Sequence, residues 1–102
     1  FTISLVFKNG SLGVINYFSN GNKAFPKERL DVYCGEKNLV LDNFKSLKGY
    51  GFKKFNSMSL SKQDKGHHNE IKEFISGLET NREIISQSEI FEISKLVIEL
   101  NS

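Results

Sequence analysis

The spacing of apolar residues changes once along this chain, near Leu60, and that change restricts the fold more than any other feature. Before Leu60, apolar and polar residues alternate with a period of two, which is typical of strands with one buried face. After it, apolar residues recur at helical spacing, as in Ile71, Phe74, Ile75 and Leu78. Strands followed by helices predict an α+β fold.

Turn signals separate the predicted strands. Asn9-Gly10, whose residues tolerate positive φ, predicts a hairpin directly after the first strand. No connection between strands is long enough for a helical crossover, so we expect a mainly antiparallel sheet of about five to six strands. The predicted strands are Phe1–Phe7, Gly13–Ser19, Arg29–Cys34, Asn38–Asp42, Leu47–Tyr50 and Lys54–Leu60.

Two helices are predicted to follow and to pack on one face of the sheet. Asp64 is the expected N-cap of the first helix. Ser86 and Glu89 have the spacing of a capping box, which predicts a second helix over Gln87–Leu100. We expect residues 1–102 to form a single domain, the usual size for one core.

Composition excludes several classes of protein. A net charge of +2 is weak for a nucleic-acid-binding protein, so no nucleic-acid partner is expected. No apolar run has the ~18 residues of a membrane span, which predicts no membrane partner. The single cysteine, Cys34, excludes an internal disulfide and a multi-cysteine zinc site. We therefore expect a cytoplasmic protein, with Cys34 as a small core residue.

Three cations around Pro26 are the candidate binding residues. Lys23, Lys27 and Arg29 lie within seven positions of one another and could hold an anionic ligand. The adjacent histidines His67 and His68 point about 100° apart on a helix, so we interpret them as a solvated first turn rather than a metal site.

The second strand predicts an interface. It is apolar on both faces, since Val14 and Phe18 alternate with Ile15 and Tyr17. One face is expected to pack on the helices. Ile15 and Tyr17 would then remain exposed, which predicts a contact between subunits through the open sheet face.

Lysines interleaved with aromatic residues leave an alternative open. Such a pattern suits a small module that binds a polyanion or nucleic acid, because stacking needs aromatic rings beside cations. It is equally typical of a half-buried strand, and a purely structural interaction domain is a further alternative. The residues are Lys45, Lys48, Lys53, Lys54, Lys62 and Lys65, with Phe44, Tyr50, Phe52 and Phe55.

Several segments, taken in order, resemble one enzyme family. They are FKNGSLGVINYFSNG at 7–21, FPKERLDVY at 25–33, LVLDNF at 39–44 and KQDKGH at 62–67, followed by the two helices. Together they resemble the C-terminal half of the Gfo/Idh/MocA oxidoreductases, nearest to the branch that includes polysaccharide-biosynthesis enzymes and fusions to a zinc-type alcohol dehydrogenase.

The resemblance implies a two-part enzyme. An N-terminal Rossmann domain would bind NAD or NADP, and this chain would be its C-terminal partner, of the glyceraldehyde-3-phosphate dehydrogenase-like type, which shapes the pocket for a sugar, nucleotide sugar or cyclitol and mediates oligomerisation. Phe1 already lies inside a strand pattern, so we expect the Rossmann domain to precede it. The chain lacks the family's Glu-Lys-Pro motif, because Asn38 follows Glu36-Lys37. No residue here is therefore assigned a catalytic or cofactor-binding role, and the chain is expected to be inactive alone.

Overall fold

Six strands precede two helices in the computed structural model, which describes residues 1–102. The α+β class is confirmed. The chain divides into two compact units, Phe1–Ser59 with all the strands and Leu60–Ser102 with both helices. The elements are β1 (Thr2–Val6), β2 (Leu12–Asn16), β3 (Arg29–Cys34), β4 (Lys37–Asp42), β5 (Ser46–Tyr50), β6 (Ser57–Ser59), α1 (His67–Thr80) and α2 (Gln87–Leu100).

The strands form two antiparallel sheets, not the one larger sheet that the sequence predicts. β1 and β2 pair with each other alone, and β3 to β6 form a four-stranded sheet in sequence order. β2 ends at Asn16, three residues before the predicted end at Ser19. The chain leaves the hairpin at Tyr17, and β2 forms no ladder with β3.

Register sorts the residues of the larger sheet onto two faces. Leu30 of β3 pairs with Leu41 of β4, Leu41 with Leu47 of β5, and Leu47 with Met58 of β6. These four residues make one apolar row across all four strands, because directly paired side chains point to the same side. The alternate residues of each strand, which are polar apart from Val40 and two tyrosines, lie on the opposite face.

No hydrophobic side chain of the chain is buried. The prediction that Cys34 is a core residue is wrong, since Cys34 is exposed. It belongs to β3, an edge strand whose six residues are all exposed, so the apolar side of this strand is not covered. The packing of the helices on the sheet remains a prediction.

The two helices begin differently. The capping box of α2 is confirmed, because Ser86 Oγ accepts from Glu89 N at 3.3 Å and Glu89 Oε2 accepts from Ser86 N at 3.3 Å. The predicted cap of α1 is wrong. Gly66, at φ 84°, is the N-cap. The Asp64 side chain, two residues earlier, accepts from Gly66 N at 2.8 Å and caps no amide of the helix itself. Neither helix is both long and apolar enough to cross a membrane.

Candidate functional site

The predicted cations line one cleft in the first unit. This cleft, here called the loop cleft, has a volume of about 820 Å³ and lies beside the connection between β2 and β3. It brings together Lys23, Lys27 and Arg29 and adds Tyr17. Its lining is Asn16, Tyr17, Phe18, Ser19, Gly21, Asn22, Lys23, Phe25, Pro26, Lys27, Glu28, Arg29, Leu30, Leu41 and Phe44.

Local turns shape the wall of the loop cleft. The Asn22 side-chain oxygen accepts from Ala24 N at 2.9 Å, and Phe25 N donates to the Asn22 carbonyl at 3.0 Å. Asn side chains favour such turns because they hydrogen-bond the backbone two residues ahead. Asn43 N then donates to the Glu28 carbonyl at 2.7 Å, which ties the end of the loop to the β4–β5 turn.

Arg29 is already paired. Its Nε lies 3.0 Å from Asp31 Oδ2, and its Nη2 lies 3.2 Å from Asp31 Oδ1. These hydrogen bonds, and next the charge of Asp31, raise the pKa of Arg29 above its usual value. Lys23 and Lys27 are exposed and pair with no carboxylate. Of the three cations, the two lysines are therefore the ones available to a ligand.

Aromatic rings and amides complete the loop cleft. Tyr17, Phe18 and Phe25 are all exposed and offer flat apolar surface. Asn16 accepts from Thr2 Oγ1 at 2.9 Å through its side-chain oxygen, which leaves its amide N–H groups for another acceptor. Rings beside amides and cations suit a hydroxyl-rich ligand that carries an acidic group.

Ile15 and Tyr17, the predicted interface residues, share the apolar face of the β1–β2 hairpin. Ile15 pairs with Ile3, and the Tyr17 ring stacks on Phe1 with centroids 5.2 Å apart. Ile15 is 49% exposed and Tyr17 58% exposed. Tyr17 therefore belongs both to this face and to the loop cleft, while the contact between subunits remains a prediction.

A second, smaller cleft was not predicted from the sequence. It has a volume of about 420 Å³ and is here called the lysine–phenylalanine pocket, lined by Lys37, Gly51, Phe52, Lys53, Lys54 and Phe55. The interleaved pattern includes four of these residues but omits Lys37, which lies just before the predicted strand Asn38–Asp42. Only the register of the β3–β4 hairpin, in which Lys37 pairs with Cys34 across a two-residue turn, could have indicated Lys37.

The remaining candidates form no site. His67 and His68 lie exposed in the first turn of α1, as the sequence predicts. No group of three or more histidine, cysteine or acidic side chains is arranged to hold a metal ion.

The chain's glycine pairs do not fit a dinucleotide. Gly10 lies in the β1–β2 turn and Gly13 in β2, whereas Gly49 lies in β5 and Gly51 directly after it. A dinucleotide pyrophosphate needs a glycine turn that opens a helix, and neither pair is followed by one.

Comparison of the chain with protein-family models, with curated proteins and with solved structures gives no match. The residues of the two clefts therefore carry the argument for function.

Proposed function

We propose that this chain is the part of an NAD(P)-dependent oxidoreductase that shapes the substrate pocket and pairs the subunits, and that it is not catalytic alone. The substrate would be a sugar, a nucleotide sugar or a cyclitol. The observation that carries this proposal is the loop cleft, which collects Lys23, Lys27 and Tyr17 into one concave surface. The order of the family-like segments supports it as well.

The chemistry of the loop cleft suits a polyhydroxylated substrate. The Asn16 amide can hydrogen-bond hydroxyl groups, and the Tyr17 and Phe25 rings can cover the apolar face of a sugar ring. Lys23 and Lys27 would balance an acidic substituent, since a charge-assisted hydrogen bond is stronger than a neutral one. Asp31 would keep Arg29 in place as part of the wall.

The apolar face of the β1–β2 hairpin supports the subunit-pairing role. Phe1, Phe7, Ile15 and Tyr17 are each about half exposed or more there, although Tyr17 stacks on Phe1. A two-fold symmetric contact would cover equivalent faces of two copies.

Hydride transfer would depend on groups outside this chain. NAD or NADP would be held by the Rossmann domain, because the glycines described above do not form a dinucleotide site. The contribution of the described residues is to bind and orient the substrate, which lowers the entropic part of the barrier.

The sequence upstream of Phe1 tests the proposal directly. We expect the coding region to encode a strand, a G-x-G-x-x-G turn and a helix, followed by a Glu-Lys-Pro motif. A parent protein that lacks both this nucleotide-binding unit and the Glu-Lys-Pro motif would contradict the oxidoreductase role.

Binding provides a second test. The chain carrying Lys23→Gln and Lys27→Gln should bind glucuronate about tenfold more weakly than the parent chain, and glucose equally well. Lys62→Gln combined with Lys72→Gln, which removes the same two charges outside the loop cleft, is the matched control. Equal glucuronate binding by all three proteins would remove the cleft lysines from the proposal.

A stand-alone binding module is the second candidate function. The lysine–phenylalanine pocket favours it, because its three lysines pair with no carboxylate. A start codon shortly before Phe1 in the coding sequence would favour this candidate over the oxidoreductase.

A further inference from the structure

The lysine–phenylalanine pocket lies at the opposite end of β4 from the loop cleft. Lys37 begins β4 and lines the pocket, whereas Leu41 lies four residues along the same strand and lines the loop cleft. The two clefts share no residue, so the pocket forms a separate site.

Two glycines hold the pocket in shape. A Cβ at Gly49 would lie 2.6 Å from Phe55 Cδ1, so the absence of a side chain lets the Phe55 ring rest on the strand. Gly51 has φ +77°, and a Cβ there would lie 2.6 Å from the Glu36 carbonyl oxygen. The Phe55 ring therefore lies close to the backbone at Gly49, and the Glu36 carbonyl lies close to the backbone at Gly51. These two close approaches fix the position of the Phe52–Phe55 loop.

The charges in the pocket all have one sign. Lys37, Lys53 and Lys54 line it, and no carboxylate does. None of the three forms an ion pair. The Lys37 ammonium lies over the Phe52 ring, 5.6 Å from its centroid, so this cation covers one face of the ring. Three uncompensated cations favour a ligand with more than one negative charge.

The wall of the pocket is aromatic. Phe52 and Phe55 are half-buried, with ring centroids 6.3 Å apart and planes at 88°. Two perpendicular rings offer one face and one edge to a planar ligand. The side chains that line the pocket are lysines and phenylalanines, and these do not distinguish one base from another.

We infer that the lysine–phenylalanine pocket binds a nucleoside phosphate without preference for the base. Lys37 leaves the Phe52 ring to join Lys53 and Lys54 at the phosphates, and the base takes its place on that ring. A volume of about 420 Å³ suits one mononucleotide and lies within the usual range for small-ligand pockets. The inference does not depend on the proposed oxidoreductase role, because it uses none of the loop-cleft residues.

Amide NMR titration of the 102-residue chain with ADP and with UDP tests the inference. Both nucleotides should shift the amides of Gly51 to Phe55 in a saturable way, with affinities within a few-fold of each other. Adenosine and inorganic phosphate should each bind at least about tenfold more weakly, because each provides only one of the two contacts.

Variants locate the site. Lys54→Gln should weaken ADP binding about tenfold and Phe52→Leu about fivefold. Lys48→Gln, which makes the same charge change on β5 outside the pocket, should leave binding unchanged. Retention of the parent's amide spectrum outside residues 51–55 shows that each variant is folded.

Three results would overturn the inference. The first is an ADP titration that does not saturate, or one in which the largest shifts lie outside Lys37 and residues 51–55. The second is equal weakening by Lys48→Gln and Lys54→Gln. The third is a single-stranded oligonucleotide that binds far more tightly than ADP and shifts residues well beyond 51–55, because the pocket would then belong to a nucleic-acid surface.

Discussion

The two sheets of the first unit bury their apolar residues to different degrees. In β4, every residue after Lys37 is half-buried. In the β1–β2 hairpin, only Ile3, Leu5 and Gly13 reach that level, and the other strand residues are exposed. Yet the hairpin is at least as rich in apolar residues as the larger sheet.

The difference shows that the burial of a strand in this unit depends on how many strands and loops lie beside it, and not on how apolar its own residues are. β4 has a strand on each side, and the Phe52–Phe55 loop rests on the adjacent β5. β1 and β2 have only each other, and a two-stranded hairpin is marginally stable in water on its own. The hairpin therefore depends most on a covering surface.

The largest expected effect is at Gly51, which joins β5 to the covering loop. Gly51→Ala should destabilise the four-stranded sheet by about 3 kcal/mol, because it combines a positive φ with a Cβ that meets the Glu36 carbonyl. Hydrogen exchange of the β4 and β5 amides measures it. Gly35→Ala, with positive φ but no atom within 4 Å, isolates the conformational part; an equal loss in both variants would show that the close approach contributes nothing.

Gly49→Ala is expected to have the next largest effect, a loss of about 2 kcal/mol in the stability of the four-stranded sheet, measured by exchange of the same β4 and β5 amides. The new Cβ would meet the Phe55 ring, which must move off the strand. Pairing the change with Phe55→Leu in a double-mutant cycle should recover part of the loss, since the two sites are in contact. Additive losses would mean that the ring does not rest on Gly49.

Tyr17→Ala should lower the stability of the β1–β2 hairpin by about 1 kcal/mol, because it removes the stacking of the Tyr17 ring on Phe1. The loss should appear in the exchange of β1 and β2 amides and leave β4 unchanged, which would sharpen the contrast between the sheets. Tyr33→Ala is the matched control, because Tyr33 is 78% exposed and is not part of either ring pair. Equal effects of the two changes would speak against the stack.

Thr2→Val should have the smallest effect, about 0.5 kcal/mol, since it removes one exposed hydrogen bond to Asn16 while keeping the side-chain shape. Exchange of the β1 amides measures it, with Ser4→Ala on the same face as the control. A loss above that of Tyr17→Ala would show that polar cross-strand pairing, and not ring stacking, holds the hairpin.

Local patterns predicted the elements of this fold well. Six strands were predicted and six are present, although β6 spans only Ser57–Ser59 of the predicted Lys54–Leu60. Ser86 with Glu89 predicted the start of α2 correctly. The sequence did not predict the division into two sheets, because that depends on whether β2 pairs with β3, which no local pattern determines. The prediction placed Cys34 in a core because it lies on the apolar side of β3, but every residue of this edge strand is exposed.

The candidate sites show the same contrast between residues that lie close in sequence, which local patterns predict, and residues that only strand pairing brings together. Lys23, Lys27 and Arg29 lie close in sequence, and the structure places all three in one cleft. Lys37 joins Lys53 and Lys54 only through strand pairing, so spacing along the chain did not reveal it. The pairing of Arg29 with Asp31 was also missed, although two residues apart on one strand share a face.

The absence of any buried hydrophobic side chain has a calorimetric consequence. The heat capacity increment of unfolding arises mainly from apolar surface that the folded state hides from water. The chain alone should therefore melt over a broad temperature range with a small increment. A surface that covers the β1–β2 hairpin should bind with a large negative heat capacity change, so titration calorimetry at several temperatures would reveal such a partner even where its binding enthalpy passes through zero.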